Sequence, residues 1–411
     1  MNRTPIPEPT QVRRQRPFRL RSADLRGLSR LGVQAVTGLT DIVEAMHHTV
    51  LSRPHPLGLP PVGRTRGLTG FVYGAVRGTT RAVGAGLDGL WRVVPGNAAA
   101  SGPRREAFVA ALNGVVGDHL AETSNPLAIP MQLRMGGQPW RTALAASGGS
   151  CSGRVLVLVH GLAMHDGQWN RRGHDHGQVL ARALGVTPVY LHYNSGRHVS
   201  QNGRDFSAAL DDLVAHWPVP VDELMIVAHS MGGLVARSAC HVATGQPWRR
   251  RLSRLVFLGT PYHGAALERG GRLVDLALGV SPYAAPLARL GRVRSAGITD
   301  LRYGNVQEAD WAHRQRHDQT HDDRRPTPLP RGVACHVVAA TTARAVAPRR
   351  GLHDALIGDG LVPLASALGE HADPALRLRF APERRLIITR ANHFDLLSRA
   401  DVAARLLAWL R

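Results

Sequence analysis

The chain has 411 residues, of which 44% are hydrophobic, and 51 basic against 30 acidic residues give a formal net charge of +21. This length suits one large domain with an appendage, or two modest domains. No run of about eighteen uncharged apolar residues occurs, so a membrane-spanning helix is not expected. The three cysteines, Cys151, Cys240 and Cys335, have neither disulfide-framework nor metal-ligand spacing, so we expect a reduced compartment and no metal.

The positive charge is concentrated near the beginning of the chain. Through Arg105 there are 16 arginines and five acidic residues, a net charge of +11. Such an arm attracts anionic lipid or nucleic acid by counterion release. A solvated, solubilising surface is the favoured interpretation, and nucleic acid is not expected as a partner. No apolar leader with a small-residue cleavage site is evident, so the expected location is the cytoplasm, with peripheral membrane association as an option.

The first quarter of the chain predicts a tail and three helices. Residues 1–21 are rich in proline and arginine, which is typical of a basic, disordered tail. Apolar residues recur at helical spacing over 22–51, with Ser22 as the N-cap, and again over 68–94 after a proline-rich linker. A third helix is predicted over 106–122.

We assign residues 22–125 to an N-terminal helical extension. Its first two helices either pack as a hairpin on the main domain or lay their apolar faces on an anionic membrane or lipid surface through residues 22–105. Packing is the favoured alternative.

Residues 126–411 predict an α/β domain. A first strand is expected at 131–135. The strands that follow are Arg154–Val159, Pro188–His192, Leu224–Ala228, Arg254–Leu258, Val333–Ala340 and Arg385–Thr389. The helices are His176–Leu184, Asp205–Trp217, Gly232–Ala243, Leu352–Ile357 and Asp401–Leu410. Strands that alternate with helices imply a mostly parallel sheet with helices on both faces.

One long segment, about 262–332, breaks this alternation. An insertion there would cover the carboxyl ends of the strands, where ligands bind in such sheets, so we interpret it as a cap or lid. Within it, Arg314–Arg325 is dense in His, Asp and Arg and is interpreted as a solvated loop rather than a metal site.

A serine stands where a buried strand gives way to a helix. The apolar run Leu224–Ala228 ends at His229 and Ser230, and apolar residues at helical spacing follow. Strand, sharp turn and helix with serine at the apex is a nucleophile elbow, which needs small residues two before and two after the serine. Here they are Ala228 and Gly232, where the usual pattern has glycine at both positions.

Such a serine needs a base and an acid further along the chain. His393 follows one predicted strand and would take the proton from Ser230. Asp359 follows another and would orient the imidazole. Asp354, in a predicted helix, and Asp395, next to the histidine, are competitors for the acid.

Two backbone amides are candidates for stabilising an oxyanion. One is that of Met231, directly after the serine. The other is that of Leu162, because His160-Gly161 follows a buried strand and lets the backbone turn into the site. His160 itself is interpreted as a supporting hydrogen-bonding residue rather than a second base.

Together these motifs resemble the α/β-hydrolase superfamily. They are His160-Gly161-Leu162, the Ala-His-Ser-Met-Gly-Gly elbow, Asp359-Gly-Leu-Val-Pro and Asn392-His393. The turn Gly259-Thr-Pro-Tyr-His-Gly264 is similar to that of serine lipases and esterases of the inositol-deacylase-like branch. The resemblance covers roughly residues 130–411. It implies a Ser-Asp-His triad, an acyl-enzyme, hydrolysis of a lipid-like or other hydrophobic carboxylic ester, and no cofactor.

Two alternatives stay open. The same triad serves an acyltransferase or a thioesterase, since the lid and the pocket choose the acyl acceptor. The basic N-terminal arm is also compatible with a membrane- or nucleic-acid-binding protein built on a hydrolase scaffold.

Overall fold

The computed structural model describes residues 20–52, 65–93, 102–265, 295–312, 322–345 and 358–411. The chain divides into two compact units, Met1–Glu106 and Ala107–Arg411. Most of the predicted tail, the predicted helix at 352–357 and much of Arg314–Arg325 lie outside the described residues.

Unit 1 contains two long helices, α1 (Ser22–Ser52) and α2 (Gly67–Val93), which pack against each other. Both were expected from the apolar spacing, but Ser22 is the first residue of α1 rather than its N-cap, because the Arg21 carbonyl accepts from the Leu25 amide (3.1 Å). None of the helices in the described segments is long and apolar enough to cross a membrane.

The division between the units falls inside α3 (Pro103–Glu122), whereas the sequence assigned residues up to 125 to the extension. From Ala107 onward this helix belongs to unit 2. The Asn113 side chain explains part of this, because it donates to the Leu127 carbonyl (2.8 Å) and accepts from the Ile129 amide (2.9 Å).

Unit 2 is built on an eight-stranded sheet. Its strands are β1 (Gln132–Met135), β2 (Gln138–Pro139), β3 (Arg154–Val159), β4 (Thr187–His192), β5 (Glu223–His229), β6 (Leu252–Leu258), β7 (Ala334–Ala340) and β8 (Arg385–Ile388). The spatial order is β2-β1-β4-β3-β5-β6-β7-β8. β1 runs antiparallel to both of its neighbours, and β3 to β8 pair in parallel.

The α/β-hydrolase class expected from the sequence is therefore confirmed at the level of the fold. Each of the six strands predicted from Arg154 onward is present, with ends that differ by at most about two residues, as element boundaries commonly do.

The helices of unit 2 between and after the strands are α4 (Trp140–Ala146), α5 (His176–Leu184), α6 (Val199–His216), α7 (Met231–Val242), α8 (Pro247–Arg251), α9 (Ala296–Tyr303), α10 (Leu364–Ala367) and α11 (Ala400–Leu410). α5 has the predicted bounds because local residues cap both ends: the Asp175 side chain accepts from the Gln178 amide, and Gly185 has a φ of 67°. α6 begins at Val199 rather than Asp205, because the buried Asp300 carboxylate of α9 accepts from the Val199 amide (2.7 Å).

The central strand β5 separates two apolar cores. Leu224, Ile226 and Ala228 face the core that α6 and α7 cover. Met225 and Val227 face the other, which α5 and α11 cover. Because a strand buried on both faces is apolar at every position, this segment reads as a continuous run rather than an alternation.

The predicted cap region is described only in part, because 266–294 and 313–321 lie outside the described residues. The remainder includes α9 and the extended segment 322–330. Across the described segments, no group of three or more His, Cys, Asp or Glu side chains is placed to hold a metal ion.

Candidate active site

Ser230 lies at the junction of β5 and α7, in the backbone conformation of a nucleophile elbow. Its φ is 55° and its ψ −127°, a region that side-chain-bearing residues rarely adopt. The Leu258 carbonyl at the end of β6 accepts from the Ser230 amide (2.8 Å) and so fixes the turn. Ser230 is 8% exposed. The sharp turn that the sequence predicts here is present.

Two glycines make room for this turn. A methyl group on Gly232 would stand 2.5 Å from the His160 carbonyl oxygen, so only glycine lets α7 start this close to the β3 loop. A methyl group on Gly161 would stand 3.0 Å from Ser230 Cβ. The His160-Gly161 turn therefore lies directly beside the serine.

His393 and Asp359, which are 34 residues apart in the chain, form a hydrogen-bonded pair. The His393 Nδ1 lies 2.7 Å from Asp359 Oδ2, and both side chains are buried. The His393 amide also donates to the Asp359 carbonyl (3.0 Å), so the two loops are joined by backbone as well. Because Nδ1–H donates to the carboxylate, the neutral ring keeps its lone pair on Nε2.

The loop around Asp359 holds its carboxylate in place. The other carboxylate oxygen, Oδ1, accepts from the amides of Leu361 (3.0 Å) and Val362 (2.8 Å). With His393 as the third donor, the carboxylate is oriented towards the imidazole without freedom to rotate away. The aspartate thus closes its own turn and positions the ring at once.

The histidine loop is itself capped. His393 opens a 3-10 turn, His393–Leu397, and the Asn392 side chain accepts from the amides of Phe394 and Asp395. The Asp395 carboxylate accepts from the Asn392 amide (3.0 Å) and lies near Arg172. Asp395, the competing acid, therefore serves the cap, and Asp354 lies outside the described residues.

The imidazole of His393 lies against the elbow. A methyl group on Gly259 would be 3.1 Å from both Cε1 and Nδ1 of the ring, and Gly259 follows Leu258, to which the Ser230 amide donates. The His229 Nε2 lies 3.2 Å from the His393 carbonyl. In the described part of the chain, the Ser230 hydroxyl makes no hydrogen bond to the His393 ring, whose side-chain bond runs to Asp359.

Of the two amides proposed for oxyanion stabilisation, that of Met231 directly follows the serine, and that of Leu162 lies one residue past Gly161, which stands beside the serine. Met231 is the first residue of α7, so its amide has no partner within the helix and lies at the positive end of the helix dipole. Leu162 sits in the turn after Gly161, where Ala163 has a φ of 56°. The Ala163 amide is taken by the Ser195 hydroxyl (2.9 Å), which holds this turn in place.

His160 and His229 are neutral supporting residues. Burial lowers the pKa of His160 to about 3. Burial, with the neighbouring His393 as a second cause, lowers the pKa of His229 well below its usual value. His160 Nδ1 lies 2.9 Å from the Gly161 carbonyl, and His229 contacts the His393 carbonyl, so each ring braces one loop of the site.

Sequence reasoning missed Tyr193 and Ser195, which hold the Gly161 turn. The Tyr193 hydroxyl donates to the His160 carbonyl (2.9 Å), and its ring stacks on His160 with centroids 4.4 Å apart. Both residues directly follow β4, and residues just past a strand's carboxyl end belong to the same edge as the serine. Their position just after the carboxyl end of β4 was the sequence signal that could have identified them.

Comparisons with known proteins give matches of low identity. A family model described as a domain of unknown function (DUF7379) matches residues 137–291. No curated protein matches the chain.

Among solved structures, the mature form of the lipase BlEst2 from Bacillus licheniformis is similar, with a TM-score of 0.41, 19% identity, and coverage of 62% of this chain and 91% of that one. Lipase B of Aspergillus fumigatus is similar with a TM-score of 0.38 and 15% identity, and the match covers 62% of this chain and 52% of that one. The lipase of Staphylococcus hyicus is similar with a TM-score of 0.34 and 13% identity, and the match covers 63% of this chain and 93% of that one. The α/β-hydrolase fold of unit 2 is defined by its own strand order and by the parallel pairing of β3 to β8.

Proposed function

We propose that this protein is a serine hydrolase that cleaves hydrophobic carboxylic esters, with Ser230 as nucleophile, His393 as general base and Asp359 as the residue that positions the base. The Asp359–His393 hydrogen bond of 2.7 Å beside the strained Ser230 turn carries the proposal. Ser230, Asp359 and His393 come after β5, β7 and β8 respectively, which is the chain order that this fold uses for its nucleophile, acid and base.

The first half of the reaction transfers the acyl group to the enzyme. The Ser230 oxygen attacks the ester carbonyl carbon while His393 Nε2 takes the hydroxyl proton. The carbonyl oxygen becomes an oxyanion, which the Leu162 and Met231 amides would receive. The C–O bond to the alcohol then breaks, and the alcohol leaves with the proton from His393.

The second half regenerates the serine. Water attacks the acyl carbon, His393 accepts a proton from it, and the acid leaves as Ser230 regains a proton from the imidazolium. Asp359 keeps the ring in one tautomer and stabilises the imidazolium. Each backbone donor aimed at the oxyanion contributes about 3 kcal/mol in sites of this kind. This route needs no cofactor.

The remaining step is the approach of the Ser230 hydroxyl to His393. Catalytic hydrogen bonds of this type are often long without substrate and tighten in the complex. Rotation about the Ser230 Cα–Cβ bond moves only the hydroxyl, while the turn and the ring stay fixed by their backbone bonds. The proposal requires that this rotation bring the hydroxyl within hydrogen-bonding distance of His393 Nε2.

Hydrolysis of short- and long-chain p-nitrophenyl esters tests the proposal. The matched control is Ser124→Ala, because Ser124 is another described serine with a positive φ (47°) and lies outside the site. Ser230→Ala should lower turnover by about 10⁴-fold or more, while Ser124→Ala should retain wild-type activity. Equal turnover of wild type and Ser230→Ala on every ester would refute the assignment.

A fluorophosphonate probe gives a readout that does not depend on choosing the ester. It reacts with an activated serine, so mass spectrometry of the labelled protein should find the adduct on Ser230 and none on Ser124. Labelling should disappear in His393→Ala, because the unassisted hydroxyl is a weak nucleophile. An adduct on another serine would contradict the proposed nucleophile.

A further inference from the structure

The hairpin of α1 and α2 has ion pairs between its helices and large apolar side chains on its outer surface. Asp88 of α2 pairs with Arg26 and Arg30 of α1 at 2.7 and 2.6 Å, and its side chain is only 15% exposed. Phe71 and Val93, on the same helix, are 73% and 81% exposed. This is the reverse of the arrangement that stabilises an ordinary helical hairpin in water.

A second ion-pair group joins the other end of the helices. Arg77 of α2 contacts both Asp41 and Glu44 of α1, and Thr65 donates to Glu44 Oε1 (2.8 Å). Arg77 and Glu44 are buried. The two helices therefore meet through ion pairs as well as through the close contact of Val33 with Gly84, and part of their apolar surface stays exposed.

Four exposed apolar residues of α2 lie on the side of the helix that faces away from its charged residues. Val72, Val76, Val83 and Leu90 are spaced by four, seven and seven residues, so they form one stripe at 3.6 residues per turn, and all are exposed. Arg77, Arg81, Asp88 and Arg92 are the charged residues of α2. At about 100° per residue, they lie roughly 125–185° around the helix from the centre of that stripe.

The facing helix has the same organisation. Val36 and Leu39 of α1 are 47% and 62% exposed, and they lie away from Arg30 and Asp41, which reach towards α2. Both helices thus present uncharged surface outward along the hairpin.

The charge that the hairpin keeps is positive. Its four acidic residues, Asp24, Asp41, Glu44 and Asp88, all contact arginines: Asp24 pairs with Arg105, and the others pair as described above. Arg66 and Arg81 are exposed, and neither has an acidic partner within the described residues. The hairpin therefore combines exposed apolar side chains with unneutralised arginine.

We propose that the α1–α2 hairpin docks on the surface of an anionic phospholipid bilayer. Its apolar side chains would enter the headgroup–acyl boundary with the helices in the plane of the membrane, and its arginines would pair with lipid phosphates. A second copy of this chain would bring an equally basic hairpin, whereas an anionic membrane complements the charge.

Vesicle flotation of the full-length protein tests this inference independently of any enzymatic activity. The protein should float with vesicles of phosphatidylcholine mixed with phosphatidylglycerol, should float less with phosphatidylcholine alone, and should be released by salt. Val72→Asp/Val83→Asp/Leu90→Asp should weaken binding to the anionic vesicles by about tenfold or more. Arg81→Gln should weaken binding to the anionic vesicles and leave binding to the phosphatidylcholine vesicles unchanged.

The matched control compares one exposed valine in each unit. Val83→Asp should reduce flotation, whereas Val219→Asp, at a valine 37% exposed in unit 2, should not. Circular dichroism must show unchanged helix content in each variant used.

Three outcomes would overturn the inference. The first is that the wild type fails to float with anionic vesicles. The second is that a folded triple variant floats as well as the wild type. The third is that the protein does not float but forms a dimer that the triple variant abolishes, which would assign the face to a second copy.

Discussion

The two units of this chain place charge and apolar surface in opposite ways. In unit 2 the strands are apolar and buried, with residues such as Ile226 and Phe257 inaccessible to water. In unit 1 buried side chains include Asp24, Glu44 and Arg77, while large apolar side chains such as Phe71 and Leu39 are exposed. One unit is stabilised by removing apolar surface from water, whereas the other keeps part of its apolar surface exposed.

This difference separates two uses of buried polar groups. In unit 2 the Asp359–His393 pair orients a reactive ring. In unit 1 the pairs of Asp88 and Arg77 select which helix faces meet, and ion pairs of this kind specify geometry while adding little net stability. We therefore expect unit 2 to be the more stable and unit 1 to depend more on its surroundings.

The largest effect expected separates catalysis from membrane binding. Asp359→Asn should lower kcat by about 10⁴-fold, because the amide no longer holds the His393 tautomer, yet vesicle flotation should stay unchanged. The matched control is Asp212→Asn, a surface aspartate paired with Arg141, which should leave both properties intact. If Asp359→Asn lost flotation as well, the two units would be coupled and the contrast between them would fail.

The next effect contrasts a buried arginine in each unit. Arg237 on α7 is buried, donates to the Thr327 carbonyl and stacks on Tyr262 at 5.3 Å, and burial lowers its pKa to about 10. Arg237→Ala should lower the free energy of unfolding by about 3 kcal/mol through a cavity and an unpaired carbonyl. Arg237→Met, which keeps the volume and removes the buried charge, should lie within about 1 kcal/mol of wild type.

Arg77→Met in unit 1 should be damaging, whereas Arg237→Met in unit 2 should be nearly neutral. The Arg77→Met substitution leaves the buried Glu44 without its cation, so the hairpin should lose helix content while Arg237→Met does not. Circular dichroism of the two variants over a urea titration measures the difference. Equal helix loss in both would show that the charges of unit 1 and unit 2 play the same structural role.

Acid should distinguish the units by their titrating groups. Burial lowers the pKa of His160 and His263 to about 3 and that of His176 to about 4, all in unit 2. These rings are neutral in the folded state, so their contribution is complete above the unfolded pKa of about 6.5 and is lost as the pH falls towards the folded values. Each histidine lowers the free energy of unfolding by up to about 1.4 kcal/mol for every pH unit of acidification over that range.

Unit 1 should respond only at lower pH. Hydrogen bonds from Arg30 and Arg26 hold the pKa of Asp88 well below its usual range, so this contribution is lost only as the pH falls through and below the ordinary carboxyl range. Trp91 is the only tryptophan of unit 1 and six others lie in unit 2, so tryptophan fluorescence mainly reports unit 2. The urea concentration at the midpoint of unfolding, measured by this fluorescence, should therefore decrease when the pH is lowered from 7 to 5.

The control for the acid effect is His336→Leu, whose side chain stands beside Trp409 and whose pKa is lowered to about 4 by burial. This variant should lose less stability than wild type on acidification. A midpoint independent of pH would remove the buried neutral histidines as the basis of the contrast.

Local patterns in the sequence predicted unit 2 better than unit 1. β5 and the turn at Ser230 follow from an apolar run and small flanking residues, and His393 and Asp359 follow from their positions after strands. The early start of α6 depends on Asp300, about a hundred residues away, and no local signal predicts it. The support of the Gly161 turn by Tyr193 depends in the same way on packing between loops.

Which faces of α1 and α2 meet could not be predicted from the apolar pattern, for a related reason. The periodicity that marks an apolar face is the same whether that face packs on the partner helix or away from it. Only the contacts of Asp88 and Arg77 across the hairpin show that the charged sides meet. The sequence predicted helices of the right length and favoured packing over a lipid surface, whereas for this hairpin we propose the lipid surface.

The smallest effect concerns the cap beside the histidine. Asn392→Ala removes the acceptor for two backbone amides at the turn that begins with His393, and should cost about 1 kcal/mol of unfolding free energy. Asp175→Ala removes the cap of α5 in the same unit, away from the site, and should cost a similar amount. Only Asn392→Ala should also lower kcat, because a frayed turn lets the His393 ring drift from Asp359 and Ser230. Comparable kcat values for the two variants, at equal loss of stability, would show that the Asp359 hydrogen bond alone suffices to position the ring.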